Sequence, residues 1–308
     1  MSAHWQQSPR GKPILAACHA AQSFGERLAA QMTVVDADGT QHAVPYLPDV
    51  DYRFSDGEIG VRLETDGSGC DVFLVQSLYD PTENASVNEN YTALLIAARA
   101  FREWSAHKIT AVLPYLAYSR QDKPTRLQRE PTTAKLMADL SIEAGIDRLV
   151  TWHPHYPQIH GFYGRIPVDV LEPLNHFSTL FAEYSGQRET ILVAPDVGAS
   201  NFVTFLGREL NLPVAITAKY HPKPEQTAIS QIIGDFRDVR QAIIIDDMMS
   251  SGGTVAGVVR KLVNDYGIEA VQIAVSHNLC SPKALQHIQD MYANDHLQRL
   301  HVTNSIPQ

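Results

Sequence analysis

The sequence predicts an α/β protein built on mainly parallel sheets flanked by helices, and three observations carry that prediction. Short apolar runs rich in Val and Ile recur along the chain, stretches of helical period separate them, and loops of Gly, Asn, Asp and Pro follow the runs. A chain of 308 residues has room for two domains with full-sized cores.

Taken in order, the predicted strands are 72–76, 109–113, 148–151, 190–194, 214–217, 241–245 and 270–275. Leu95, Ala98, Phe101 and Arg102 mark the faces of a helix over 89–105, and Leu136, Met137 and Leu140 repeat at helical spacing in another. The cleanest pattern is Val255, Val258, Val259 and Leu262, at i, i+3, i+4 and i+7. Pro167 and Pro173 interrupt the series, which puts the domain boundary within 161–176 and divides the chain into 1–164 and 165–308. Loops 77–90 and 195–201 each follow a strand, one in either half, and suggest a duplicated plan. In such sheets ligands bind beyond the carboxyl ends of strands, so these loops are the first places to look.

Lys and Arg total 25 against 34 Asp and Glu, a net charge of −9, so no global basic field is available for nucleic acid or anionic lipid. An anionic ligand must be held by local amides, a few cations or a metal. Cys18, Cys70 and Cys280 are odd in number and far apart, which suits neither a disulfide framework nor a four-ligand zinc site and points to a reducing cytoplasm. No apolar run approaches the ~20 residues of a membrane span. The run 14–18 is too short for a signal-peptide core despite Arg10 and Lys12 before it, so secretion is not expected.

The strongest chemical signal lies where the apolar run Ile243, Ile244 and Ile245 meets Asp246 and Asp247, then Met248, Met249, Ser250, Ser251, Gly252, Gly253 and Thr254, then the cleanest helix. Small residues at a helix start let backbone N–H groups approach a phosphate, and the two acids suit ribose hydroxyls or a hydrated cation. The alternative is a capped helix with an acidic start. Arg120 and Gln121 follow a strand and a turn at Pro114, where a guanidinium can stack on a purine or sit solvated in a loop. Phe54, with Asp56 and Glu58 beside it, reads as a base sandwich or as a commonplace hairpin. His153 and His155 alternate on a segment predicted to be extended, which invites a zinc reading with His160, but no further ligands are named by the sequence.

In order along the chain, these segments resemble the ribose-phosphate diphosphokinases, also called phosphoribosyl diphosphate (PRPP) synthetases. The motifs are Arg53-Phe54-Ser55-Asp56-Gly57-Glu58, Pro81-Thr82-Glu83-Asn84 through Asn88-Glu89-Asn90, Tyr118-Ser119-Arg120-Gln121-Asp122-Lys123, Arg129 to Lys135, His155-Tyr156-Pro157-Gln158-Ile159, Pro195-Asp196-Val197-Gly198 and the run ending at Thr254. The resemblance covers 13–307, and several motifs in one order are far more specific than any one.

It implies two type I phosphoribosyltransferase-like domains, the first carrying ATP-contacting segments and the second the ribose 5-phosphate loop. The implied reaction transfers the diphosphoryl group of ATP to the C1 hydroxyl of ribose 5-phosphate, giving PRPP and AMP. By the same resemblance, Phe54, Asp56, Glu58, Arg120, Gln121 and Asp122 contact ATP. Asp246, Asp247, Ser250, Ser251, Gly252, Gly253 and Thr254 hold ribose 5-phosphate. His155 and Asp196 bind Mg2+, His155 also standing in the catalytic set, and Lys219 is the family's catalytic lysine on a loop. The Phe54 segment serves a neighbouring subunit's ATP, so a homo-oligomer, at least a dimer, is implied.

The chain also departs from the common class of the family. Lys219-Tyr220-His221-Pro222 replaces Lys-Arg-Arg-Pro, which makes His221 a candidate substitute cation. Ser250 replaces a third acid, Ser251-Gly252-Gly253-Thr254 is closer to the plant-type class, and His153 stands where the family has Asp and reads as a surface histidine. The sequence stops at Gln308, soon after Thr303-Asn304-Ser305-Ile306-Pro307, where the common class continues into a tail that helps form a regulatory site; a separate ADP site is therefore not expected. The chain reads as a divergent or hybrid-class member. Two rivals are a non-catalytic paralogue that binds nucleotide or sugar phosphate, favoured by Tyr220 and His221, and a phosphoribosyltransferase that consumes PRPP, opposed by the two ATP-type segments.

Overall fold

The computed structural model describes residues 11–35, 38–125, 127–223 and 226–308, and only the backbone of 219–223 and 226–230. The chain forms two compact units, one running to Leu171 and taking in Ser305–Pro307, the other Glu172–Asn304 with Gln308. Among the described residues no helix is long and apolar enough to cross a membrane.

The first unit contains β1 (Lys12–Ala17), α1 (Gln22–Ala29), β2 (Thr33–Val35), β3 (Gln41–Ala43), β4 (Tyr46–Leu47), β5 (Asp51–Arg53), β6 (Ile59–Val61), β7 (Cys70–Val75), α2 (Val87–Glu103), β8 (Lys108–Leu113), α3 (Thr133–Ala144), β9 (Arg148–Trp152) and β10 (Val168–Leu171). Its sheet has the order β10-β9-β8-β7-β1-β4 and is parallel throughout. Strands β2 and β3 form one antiparallel hairpin outside it, β5 and β6 another. Helix α2 starts where Ser86 and Glu89 close a reciprocal capping box, and it buries Tyr91, Leu94, Ala97, Ala98 and Phe101.

The second unit contains α4 (Leu174–Leu180), β11 (Thr190–Ala194), α5 (Ser200–Leu210), β12 (Val214–Lys223), β13 (Gln226–Ile233), β14 (Gln241–Met249), α6 (Gly253–Tyr266), β15 (Ala270–Asn278), α7 (Pro282–Asn294) and β16 (Leu297–Val302). Its order is β13-β12-β11-β14-β15-β16, parallel except for the antiparallel β12 and β13. The period of two along β14 sends Ile244 into one core with Val255, Val258, Val259 and Leu262 of α6, and Ile243 and Ile245 into the other with Val203 and Leu206 of α5. Both faces are therefore covered, which explains the continuous apolar run.

All seven predicted strands and the three predicted helices are present, with three differences of detail. The units divide at Leu171/Glu172 and not at the expected 164/165, because β10 pairs with β9 and belongs to the first sheet. In α3 the side packed into the unit is Ala134, Ala138, Ser141 and Ala144, while Leu136 is 54% and Leu140 41% exposed. The segment after β9 is not extended: His153 sits in a bend at φ +39° and residues Pro157–Tyr163 form a 3-10 helix, so the alternation assumed for a His153–His155 zinc pair does not hold.

Candidate functional site

The sheet of the second unit has one topological switch point. From β11 the chain crosses through α5 to β12 on one side, and from β14 it crosses through α6 and α7 to β15 and β16 on the other. The order reverses between β11 and β14, and loops diverging from such a switch point leave a cleft beyond the carboxyl ends of the strands. The loop after β11 carries Asp196, and that after β14 carries Ser250, Ser251 and Gly252.

Strand β14 continues past the apolar run through Asp246 to Met249, with Asp246 opposite Val275 of β15. Gly252 then takes φ +74°, a left-handed conformation in which a Cβ is strained, and caps α6. Its carbonyl accepts from the Ala256 N–H at 2.9 Å, which opens the helix. The first turn of α6 therefore turns its free amides and the positive end of its dipole toward this loop, where Ser250 and Ser251 precede the helix and Thr254 stands in its first turn.

Acidic groups crowd the same end of the sheet. Asp246 Oδ1 accepts from the Asp247 N–H at 2.9 Å, and Asp196 Oδ1 from the Ala199 N–H at 3.1 Å, ahead of α5. Desolvation first, then the charges of Asp247 and Asp196, push the Asp246 carboxyl well above the usual carboxylate range. A cation or hydroxyl donors would relieve that crowding. No three of the described His, Cys, Asp and Glu residues form a metal cage. A donor set made of carboxylate oxygens fits magnesium, which keeps waters and shares its shell with phosphates, better than zinc.

In the first unit the Tyr118–Lys123 segment and His155 come together, because β8 and β9 are neighbours and each segment follows one of them. Tyr118 takes φ +64°, hydrogen-bonds Asn88 through its hydroxyl, and accepts from the Gln121 N–H at 2.9 Å, which turns Arg120 and Gln121 outward to solvent. Asp122 is partly buried. Lys123 Nζ lies 4.7 Å from the centre of the Tyr156 ring, and that ring packs edge-on against His155 at 4.5 Å. His160 Nδ1 donates to the Pro157 carbonyl at 2.7 Å.

Phe54, Asp56 and Glu58 sit in the turn of the β5/β6 hairpin, where the Phe54 N–H donates to the Glu58 carbonyl at 2.8 Å and the Glu58 N–H to Asp56 Oδ1 at 3.1 Å. Phe54 is 48% exposed and meets Tyr52 edge-on at 5.1 Å. A single chain thus presents an aromatic arm to solvent. Beneath it lies a pocket of about 410 Å³ lined by His19, Asp49, Asp51, Arg53, Glu89 and Asn90, a set that sequence reasoning missed because no local motif unites it. Its charges pair with one another: His19 with Asp49 at 2.7 Å, the His19 N–H with Asp51 at 2.7 Å, and Arg53 with Glu89 at 2.9 Å. Burial raises Asp51, and the hydrogen bond to Asp49 raises His19. The pocket therefore reads as the anchor of the hairpin.

Of the expected site residues, the structure gathers Asp246, Asp247, Asp196 and the 250–254 loop in the second unit, and Arg120 to Lys123 with His155 in the first. The side chains of Lys219 and His221 lie outside the described residues, although their backbone belongs to β12.

Comparison with known proteins agrees with both halves. Residues 13–145 match the N-terminal domain of ribose phosphate pyrophosphokinase, and residues 174–293 the phosphoribosyl transferase domain. The ribose-phosphate pyrophosphokinase of Clostridium acetobutylicum is 37% identical over 256 residues, 83% of this chain and 76% of that protein. That of Bacillus cereus is 38% identical over 254 residues, 82% of this chain and 76% of its own. The crystal structure of phosphoribosylpyrophosphate synthetase from Mycobacterium smegmatis superposes with a TM-score of 0.81 at 31% identity, covering 96% of this chain and 90% of that one. With both domains matched in order, and identity held across most of its length, the chain belongs to the ribose-phosphate pyrophosphokinase family.

Proposed function

We propose that this enzyme transfers the diphosphoryl group of ATP to the C1 hydroxyl of ribose 5-phosphate, giving PRPP and AMP, with the 5-phosphate seated on the loop between β14 and α6. The observation that carries the reading is that loop: two carboxylates at the end of a buried strand, then hydroxyls and glycines at a helix start, beside the switch point of the sheet. Ser250, Ser251, Gly252, Gly253 and Thr254 hold the phosphate through amides and hydroxyls. Asp246 and Asp247 accept hydrogen bonds from the ribose hydroxyls, which orients the sugar.

Phe54 stacks on the purine of ATP while Asp56 and Glu58 accept from its amino group, and Arg120, Gln121 and Asp122 contact the nucleotide from their own turn. By the family resemblance the Phe54 arm serves the ATP of a neighbouring subunit and the enzyme is at least a dimer, a reading with which the exposure of Phe54 in a single chain is consistent. Magnesium is the metal the resemblance implies, with His155 and Asp196 as the residues that would bind it, and when bound it would supply charge neutralisation to the polyphosphate. Lys219 holds the transferred phosphate as negative charge builds on its oxygens, and His221 supplies a second cation. Alignment and charge stabilisation suffice, so no covalent enzyme intermediate is required. The three widely spaced cysteines suit work in a reducing cytoplasm.

The relatives matched above are themselves pyrophosphokinases, which favours the enzyme over a non-catalytic paralogue. Incubation of the purified protein with ATP, ribose 5-phosphate and magnesium is expected to release AMP and PRPP in equal amounts. AMP without PRPP, or neither product, would overturn the reading.

A further inference from the structure

The loop between β14 and α6 does not hold its shape alone. Three consecutive carbonyls, from the last residue of β14 into the loop, accept from one neighbouring segment. The Met249 carbonyl accepts from the Leu279 N–H at 2.9 Å, the Ser250 carbonyl from the Ser281 hydroxyl at 3.0 Å, and the Ser251 carbonyl from His287 Nδ1 at 2.7 Å. A carbonyl can only accept, so His287 carries a proton on Nδ1. Ser281 meanwhile accepts from the Ala284 N–H at 3.2 Å, so one hydroxyl starts α7 and grips the loop together.

A trans peptide sets each carbonyl antiparallel to the N–H that follows it. Drawing the carbonyls of 249, 250 and 251 toward the segment 279–287 therefore turns the N–H groups of Ser250, Ser251 and Gly252 to the opposite side. Successive amides held on one side make a concave nest for an anion, and the left-handed Gly252 completes it. The His287 side chain also packs close to this corner: a Cβ on Gly252 would stand 3.5 Å from His287 Cβ, and one on Gly253 would stand 3.6 Å from His287 Cε1.

We propose that His287, on α7, is a positioning residue for the 5-phosphate of ribose 5-phosphate, acting through Ser251 by preorganising the amides that receive the phosphate. The inference rests on the assignment of this loop to ribose 5-phosphate made above. Since the 5-phosphate is far from the bond that forms, loss of the brace weakens substrate and transition state alike, which raises KM and leaves kcat in place.

The experiment compares steady-state kinetics of the wild type, His287→Ala, His287→Asn and Thr254→Ala, with thermal melting as a check on folding. His287→Ala is expected to raise the KM for ribose 5-phosphate roughly tenfold, the scale of one lost hydrogen bond to an ordered loop, while kcat and the KM for ATP stay within about twofold. His287→Asn, whose side-chain amide donates from near the same place, is expected to recover most of the loss. Thr254→Ala, in the first turn of α6 that the loop leads into, separates the two claims. If it raises the KM for ribose 5-phosphate and His287→Ala does not, the loop assignment stands and the brace is overturned. If neither variant moves that KM, the loop assignment falls and the brace with it. A fall in kcat at unchanged KM, or no rescue by asparagine in a variant that melts like the wild type, also overturns the brace.

Discussion

Arg53 Nη1 lies 2.9 Å from Glu89 Oε1, so the strand that leads into Phe54 is tied to the first turn of α2. The other oxygen of the same carboxylate accepts from the Ser86 N–H at 2.6 Å and closes the capping box. One side chain thereby fixes both a helix start and the root of the aromatic arm. If the arm serves ATP, loosening its root will be felt at ATP and not at the sugar.

Glu89→Gln keeps an acceptor for the Ser86 N–H but removes the charge that Arg53 meets. The expected outcome is a few-fold rise in the KM for ATP with the KM for ribose 5-phosphate unchanged, the modest size reflecting an exposed pair. The bonds from Ser86, and then Arg53, hold the Glu89 carboxyl below its ordinary 4.5. A depressed carboxylate stabilises the fold above that ordinary value, and the benefit fades as pH falls below it. Melting temperature should therefore fall more steeply below about pH 4.5 in the wild type than in Glu89→Gln. Parallel melting curves across that range would remove Glu89 from the balance.

Asp246 illustrates a site held at some cost to the fold. Burial and two neighbouring carboxylates raise it, so its ionised form is unfavourable in the folded chain without ligand. The sign is opposite to that of Glu89: the neutral acid is tolerated at low pH, and stability declines as pH rises through the raised value. Asp246→Asn is expected to raise the melting temperature of the ligand-free protein at neutral pH by a few degrees and to cut turnover on the order of 10²-fold or more. Magnesium with ribose 5-phosphate should stabilise the wild type more than the variant. A variant that melts below the wild type without ligand would contradict this account.

How much of this was legible in the sequence depended on how local each signal was. The β14 to α6 corner was legible because an apolar strand, two acids, small residues and a periodic helix are contiguous, and Val255, Val258, Val259 and Leu262 are indeed all buried. Strand β1 was not, although it lies in the sheet between β7 and β4, because Lys12, Pro13 and two alanines make a weak strand signal that only its neighbours convert into a buried one. In α3 the leucines gave the period but not the packed side. Alanines face the unit there, and the Tyr91 hydroxyl of α2 reaches Ser141 at 3.0 Å. Ser281 and His287 were invisible for a plainer reason: their carbonyl partners lie 31 and 36 residues away, beyond any motif.

Lys219 is the next test, since the family resemblance makes it the principal cation on the transferred phosphate. Lys219→Ala is expected to lower turnover on the order of 10²-fold or more while the KM for ribose 5-phosphate changes little, because a charge clamp of this kind acts mainly in the transition state. Turnover numbers for the two proteins at saturating substrates decide it. An unchanged kcat would take Lys219 out of the mechanism.

His221 follows Lys219 by two residues, where the common class of the family has arginine. Histidine changes charge across the neutral range and arginine does not, so a catalytic role as a cation carries a signature in pH. Turnover of the wild type should decline toward alkaline pH as the imidazole loses its proton. His221→Arg should flatten that decline and raise turnover at alkaline pH, whereas His221→Ala should lower turnover across the range without changing the oligomeric state. Bound polyphosphate favours the protonated ring, which moves the decline to higher pH at saturating ATP than at limiting ATP. Superimposable pH profiles for the three proteins would leave Lys219 acting with a different partner, and Lys223, later on the same strand, would then be the first residue to substitute.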